Sequence, residues 1–138
     1  MQTAYQETAE RTLAAAKYLL EREIYEMAGF CCYHAYESSA SALAINCSRP
    51  HGKDVPNHRR KLDIFQECVN SIGDSPILAK VRQLNLRIKP VRDNFLYPTE
   101  NADGQIMLPR NYLSREQIER LFSDVQEIVE WVGTQVRA

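Results

Sequence analysis

A chain of 138 residues with 44% apolar and 25% charged residues fits one globular domain, which at that size buries roughly two-thirds of the surface its unfolded form exposes. Only 5 Gly and 6 Pro are present, which excludes a fibrous repeat and, with the apolar content, a disordered chain. The formal net charge of -1 hides an asymmetry, because residues 75–92 carry Lys80, Arg82, Arg87, Lys89 and Arg92 with no acid among them and would draw an anionic ligand.

From Thr3 to about Leu20, Ala4, Thr8, Thr12, Ala15, Tyr18 and Leu19 recur at intervals of three and four, which predicts a first helix. Ile24 to Ile45 predicts a second, apolar on more than one side through Met27, Phe30, Cys31, Ala35, Ala42, Tyr33, Ala40 and Ala44. A helix apolar all round belongs inside a bundle. Ser38 to Ala42 are all small, so neighbouring backbones can approach it closely. This is expected to be the central helix, and its one acid beyond the first turn is Glu37.

Residues 46–57 combine Pro50, Gly52 and Pro56 with polar neighbours and read as a loop. A third helix follows from His58 to Ile72, and Gly73-Asp74-Ser75-Pro76 ends it and starts the next, with Ser75 expected as N-cap. The fourth helix runs towards Leu96, and Pro90 within it removes the hydrogen bond to residue 86, so a kink is expected just before Arg92. Residues 98–113 form a long loop. Ser114-Arg115-Glu116-Gln117 is a capping box opening the last helix, on which Ile118, Leu121, Phe122, Val125, Ile128, Val129 and Val132 make one stripe. The predicted fold is an all-α, up-and-down bundle of about five helices in a single domain over residues 1–138.

The four cysteines form no Cys-x-x-Cys pattern, and no apolar N-terminal segment resembles a secretory signal, so a reduced cytoplasmic protein is expected. No apolar run approaches the roughly 20 residues that cross a bilayer, so no membrane partner is expected. Cys31 and His34 share a helix face and Cys47 follows them, but a fourth ligand is not evident. No metal or cofactor is therefore expected.

The second helix with Glu37, the Pro/His loop ending at His58, and Arg92-Asp93-Asn94-Phe95-Leu96-Tyr97-Pro98 together resemble the HEPN family, helical-bundle domains of prokaryotic toxins, defence systems and nucleotidyltransferase-associated proteins. The resemblance covers most of the chain. In the family's nucleases an Arg and a His spaced by four to six residues cleave RNA without metal, two protomers pairing so that both motifs line one cleft. Here Arg92 matches the Arg, Asp93 the polar residue after it, and Tyr97 stands where the His would be. Ser41 stands where the family often has a base four positions after the helix-two acid. The resemblance implies a homodimer, RNA or a nucleotide as ligand, and a nucleotidyltransferase as a further partner.

Metal-free RNA cleavage needs a base for the 2′-hydroxyl proton, an acid for the leaving oxygen and cations for the phosphorane charge. Arg92 can supply the cation, since a guanidinium stays protonated and offers phosphate a planar fork. Tyrosine, with an ordinary pKa of about 10, is a poor substitute for histidine in proton transfer at neutral pH. The expected function is an RNA- or nucleotide-binding regulatory module without efficient nuclease activity. Its ligand-binding set is Arg92, Asp93, Glu37, Arg87 and Lys89, and a catalytic pair, if there is one, is Arg92 and Tyr97.

Two other readings stand beside it. One is a metal-independent endoribonuclease toxin of a toxin–antitoxin or defence system, in which Tyr97, His34 or His58 moves the proton. The other is an interaction partner of a nucleotidyltransferase. Structurally, Arg92 is expected to pair with Glu37 across the bundle, since Glu37 sits among Tyr33, Ala40 and Ala44 and a buried charge needs a partner. Arg59, Arg60 and Lys61 begin the third helix, where the helix dipole disfavours positive charge, which suggests a role beyond local stability.

Overall fold

A computed structural model describes all residues 1–138. Six α-helices follow in order: α1 (Gln2–Glu21), α2 (Tyr25–Asn46), α3 (His58–Ile72), α4 (Ser75–Ile88), α5 (Arg92–Leu96) and α6 (Arg115–Val136). The all-α bundle is thus the one expected. No helix is long and apolar enough to cross a membrane.

Helix α2 is the centre, packed against α1, α6, α3 and α5. Its run from Tyr36 to Ala44 is buried without interruption. Small side chains make this possible, because Ser38, Ser39, Ala40, Ser41 and Ala42 present almost no bulk and let α1 and α6 close on either side. The stripe Ile118, Leu121, Val125, Ile128, Val129 and Val132 buries as expected, with Phe122 half-buried at its edge.

On α1 the buried face is Gln6, Ala9, Leu13 and Ala16, and the face read from the sequence (Ala4, Thr8, Ala15, Tyr18) lies outward. Small residues at helical spacing occur on both faces of this helix, and the large apolar Leu13 decides which one turns inward.

The start of α4 also differs from expectation. Asp74, not Ser75, is the N-cap, its carboxylate accepting from the Ile77 amide at 3.1 Å. The second Asp74 oxygen accepts from the Trp131 indole N–H at 3.1 Å, so one side chain caps α4 and ties it to α6. At α6 the capping box is complete, Ser114 Oγ accepting from Gln117 N at 3.2 Å and Ser114 N donating to Gln117 Oε1 at 2.9 Å.

The irregularity at Pro90 is a break. Helix α4 ends at Ile88, and α5 begins again at Arg92 as a separate helix of 5 residues. Proline brings no amide hydrogen to residue 86, and its ring crowds that turn. Gly29 of α2 allows α5 to lie close, because a Cβ there would come within 2.5 Å of the Phe95 ring. Phe95, fully enclosed, anchors α5 against α2 and packs edge-on to Tyr112.

The segment read as a long loop holds a small antiparallel pair, β1 (Thr99–Glu100) with β2 (Ile106–Met107), Thr99 facing Met107. Asn101 builds its turn, the side-chain oxygen accepting from Asp103 N at 3.0 Å and Gln105 N at 2.9 Å. A short 3-10 turn, Pro109–Asn111, leads on towards α6.

One buried polar network crosses the core. The Tyr36 hydroxyl donates to Asn85 Oδ1 at 2.6 Å, and Asn85 Nδ2 donates to Leu62 O at 3.1 Å and Gln66 Oε1 at 3.2 Å. It joins α2, α3 and α4 through Tyr36, Leu62 and Asn85, each about one helical turn from Tyr33, His58 and Lys89 respectively. Buried amides and hydroxyls that are satisfied in this way fix the relative placement of the helices that share them.

Candidate anion-binding cleft

A cleft of about 350 Å³ opens where the start of α3 faces the break between α4 and α5. Tyr33 comes from α2, His58 and Arg59 from the first turn of α3, Lys89 from the end of α4, and Arg92 and Asp93 from the start of α5. Each cation is there for a local reason. The Asn57 cap, whose side chain accepts from Arg60 N at 3.1 Å, starts α3 so that residues 58 and 59 face the gap, and the Pro90 break turns α5 so that Arg92 faces back.

Beneath the cleft Glu37 is only 10% exposed and has two partners. His58 Nδ1 lies 2.8 Å from Oε2, and Lys61 Nζ lies 3.1 Å from Oε1. Residues 58 and 61 are three apart on α3, so one helical face presents both to the carboxylate. The expected Glu37–Arg92 ion pair is therefore not formed. Arg92 Nη1 instead meets Asp93 Oδ1 at 3.2 Å, and its guanidinium lies 5.8 Å from the centre of the Phe30 ring.

A carboxylate only accepts hydrogen bonds, so the imidazole donates from Nδ1 and turns Nε2 away from Glu37. Tyr33 lies edge-on to His58, and burial together with the Glu37 charge pushes its hydroxyl well above the usual tyrosine range. Tyr33 thus remains a neutral hydrogen-bond donor at working pH.

The basic stretch before the break is largely neutralised. Arg87 donates to Asp124 at 2.7 Å, Lys80 contacts Asp124 at 3.5 Å and also pairs with Glu127, and Lys89 pairs with Asp63. Arg87 accordingly lies in a different depression, beside Arg120 and Gln117, and does not join the other expected ligand contacts. Glu37 supports the cleft from below without lining it, while Arg92, Asp93 and Lys89 line it.

Of the three cations that open α3, Arg60 turns to Glu67 at 3.2 Å and Lys61 to Glu37, which leaves the exposed Arg59 for the cleft. Tyr97 is 61% exposed at the end of α5 and outside the cleft. His34 stacks on Phe30, and Cys32 is buried with its thiol pushed up to about 12 by burial. No three His, Cys, Asp or Glu side chains converge as a metal-holding group.

His58, Arg59 and Tyr33 line the cleft without having been among the expected ligand contacts. The available signal was the Pro-Asn-His order at residues 56–58, which places a histidine and the base after it at a capped helix start.

A helical bundle that sets an arginine at a proline break opposite the first turn of another helix matches the HEPN domain model over residues 3–135. The chain belongs to the HEPN family, which includes RNA-binding and nuclease modules. Its fold is also that of an archaeal HEPN homologue solved by crystallography, with a TM-score of 0.67 over 99% of this chain and 98% of that one at 20% identity. No curated protein matched the sequence.

Proposed function

We propose that this protein is an RNA- or nucleotide-binding regulatory module that holds a phosphate in the cleft between α3 and α5. The observation that carries the reading is the convergence of Arg59, Lys89 and Arg92 with His58 on one small space, from three helices. Arg59 makes no ion pair, and the only carboxylate against Arg92 is the 76% exposed Asp93. The first-turn amides of α3 add positive potential at the same place.

The test is binding of a fluorescent single-stranded RNA at low salt by the protein and by Arg92→Ala, with Arg82→Ala as the control cation outside the cleft. The expected result is a loss of about tenfold or more for Arg92→Ala, as for a charge-assisted hydrogen bond of about 1.5–3 kcal/mol, and little change for Arg82→Ala. Equal losses in the two variants would reduce the interaction to diffuse charge.

A second reading, metal-independent ribonuclease, has one observation in its favour. His58 is oriented by Glu37 in the cleft that holds Arg92, an arrangement suited to taking a proton from a 2′-hydroxyl while the guanidinium holds the phosphate. Under this reading RNA cleavage in chelator disappears in both His58→Ala and Arg92→Ala and persists in Tyr97→Phe. Cleavage that needs Tyr97 but not His58 sinks it.

A further inference from the structure

Phe30 and His34 lie one turn apart on α2, their rings stacked with centroids 6.3 Å apart and planes within 20°. His34 is exposed and Phe30 half-buried, so the outer face of the pair is open to solvent. The guanidinium of Arg92 reaches the same Phe30 ring, 5.8 Å from its centre, while also lining the cleft. Residues 30, 33, 34 and 37 occupy neighbouring positions on one side of α2. Phe30 and His34 thus flank Tyr33, which lines the cleft.

A stacked pair at i and i+4 on a helix surface is by itself ordinary and adds a few tenths of a kcal/mol. Two observations set this one apart. The arginine that shares the ring is brought there by a special contact, since Gly29 precedes Phe30 and its missing side chain is what seats Phe95, and with it α5, against α2. That arginine also lines the cleft where Arg59, Lys89 and His58 meet, so the aromatic pair and the anion site share Arg92.

Single-stranded nucleic acids are held by this combination, positive side chains on the backbone and an aromatic ring under the base. We propose that Phe30 and His34 form a nucleobase-stacking subsite, so that the ligand of the cleft is an unpaired nucleotide with its phosphate at Arg92 and its base on the aromatic pair. This rests on the phosphate-binding reading above and adds to it that the base beside that phosphate is unpaired and stacks on Phe30 and His34, whether the nucleotide is free or within a strand. A duplex, whose base faces are covered by their neighbours, does not fit.

The experiment compares four probes by competition against a fluorescent RNA: an unstructured RNA decamer, an abasic ribose-phosphate decamer of equal length, adenosine monophosphate and ribose 5-phosphate. Each is measured on the unaltered protein, His34→Ala and Phe30→Leu. The probes with bases are expected to bind between about fivefold and a hundredfold more tightly than their abasic counterparts, the range measured for stacking of one base. His34→Ala shrinks that ratio and Phe30→Leu removes it, while the abasic decamer binds all three proteins alike.

A preference confined to the decamer assigns the subsite to a strand, and one shared by adenosine monophosphate assigns it to a free nucleotide. Equal affinity for the RNA and abasic decamers overturns the stacking subsite and leaves the phosphate reading intact. Failure of every probe, the abasic decamer included, removes the phosphate reading and the subsite with it. Because His34 is exposed and unbonded to the core, loss of folding does not obscure the result for that variant.

Discussion

Glu37 and Arg92 are both charged residues beside the cleft between α3 and α5, and their surroundings separate a structural role from the proposed ligand role. Glu37 is nearly enclosed, and its partner Lys61 is only 14% exposed. Removing the carboxylate strands that ammonium, so Glu37→Ala is expected to lower stability by about 3 kcal/mol. Arg92 has one ion pair, with the exposed Asp93 and worth about 0–1 kcal/mol, and a long 5.8 Å approach to the Phe30 ring, so Arg92→Ala should unfold close to the unaltered protein. Urea unfolding of the two variants side by side checks this, and equal losses would return Arg92 to the bundle's framework. Sequence alone states that a lone acid among Tyr33, Ala40 and Ala44 needs a partner, but not which. The choice falls to α3, because the rotation of that helix about its axis brings residues 58 and 61 together onto α2, and that rotation is a product of packing.

At the scale of elements, α5 is the piece on which the site depends most. It is 5 residues long, too short to persist by itself, and is held to α2 by Phe95 over Gly29. Gly29→Ala puts a methyl group into the Phe95 ring, and overpacking of this kind typically costs about 1–3 kcal/mol. The expected outcome is a folded protein with a lower melting temperature and a phosphate affinity reduced along with that of Arg92→Ala. Unchanged RNA binding in a destabilised Gly29→Ala protein would show that α5 placement does not set the site.

The chain makes Pro90 legible as an irregularity, since its missing amide is a local fact. Where α5 comes to lie after the break depends on Gly29, 61 positions before Pro90 in the sequence, accepting Phe95. The capping box of α6 was fully legible because all its parts lie within four residues. The buried face of α1 was less so, because its small residues fit either side and a single large apolar residue, Leu13, breaks the tie when the helix meets α2 and α6.

For the whole molecule, the two ends of the chain are joined. Helices α1 and α6 both pack on α2, and Arg137 donates to both oxygens of Glu10, at 2.6 and 2.9 Å. Those hydrogen bonds hold the Glu10 carboxyl below its usual range. A carboxyl with a depressed folded pKa contributes stability that is fully present above its unfolded pKa, about 4.5, and is lost as pH falls through the folded value. Melting temperature is therefore expected to drop on acidification below about pH 4.5, and Arg137→Ala to flatten part of that drop. Identical acid profiles for the two proteins would mean that the pair contributes nothing. The bundle class was legible from the chain because five apolar periodicities and their turns are each local. The cleft was only half legible, since Arg92 and Lys89 stand out in a basic run while His58 and Arg59 meet them only once α3 and α5 are both in place.

The contact between Arg92 and its neighbour Asp93 gives the cleft a resident competitor. On the phosphate-binding reading proposed above, an incoming anion would enter by exchange, displacing a tethered carboxylate whose local concentration never falls, so occupancy would be decided by how much more strongly the newcomer binds. A monocarboxylate has no advantage over the group already there. Under that reading a phosphate would engage Arg92 with one oxygen and Arg59, which has no ion-pair partner, with another, and this multiplicity of acceptors, beyond charge itself, is what the arrangement would favour.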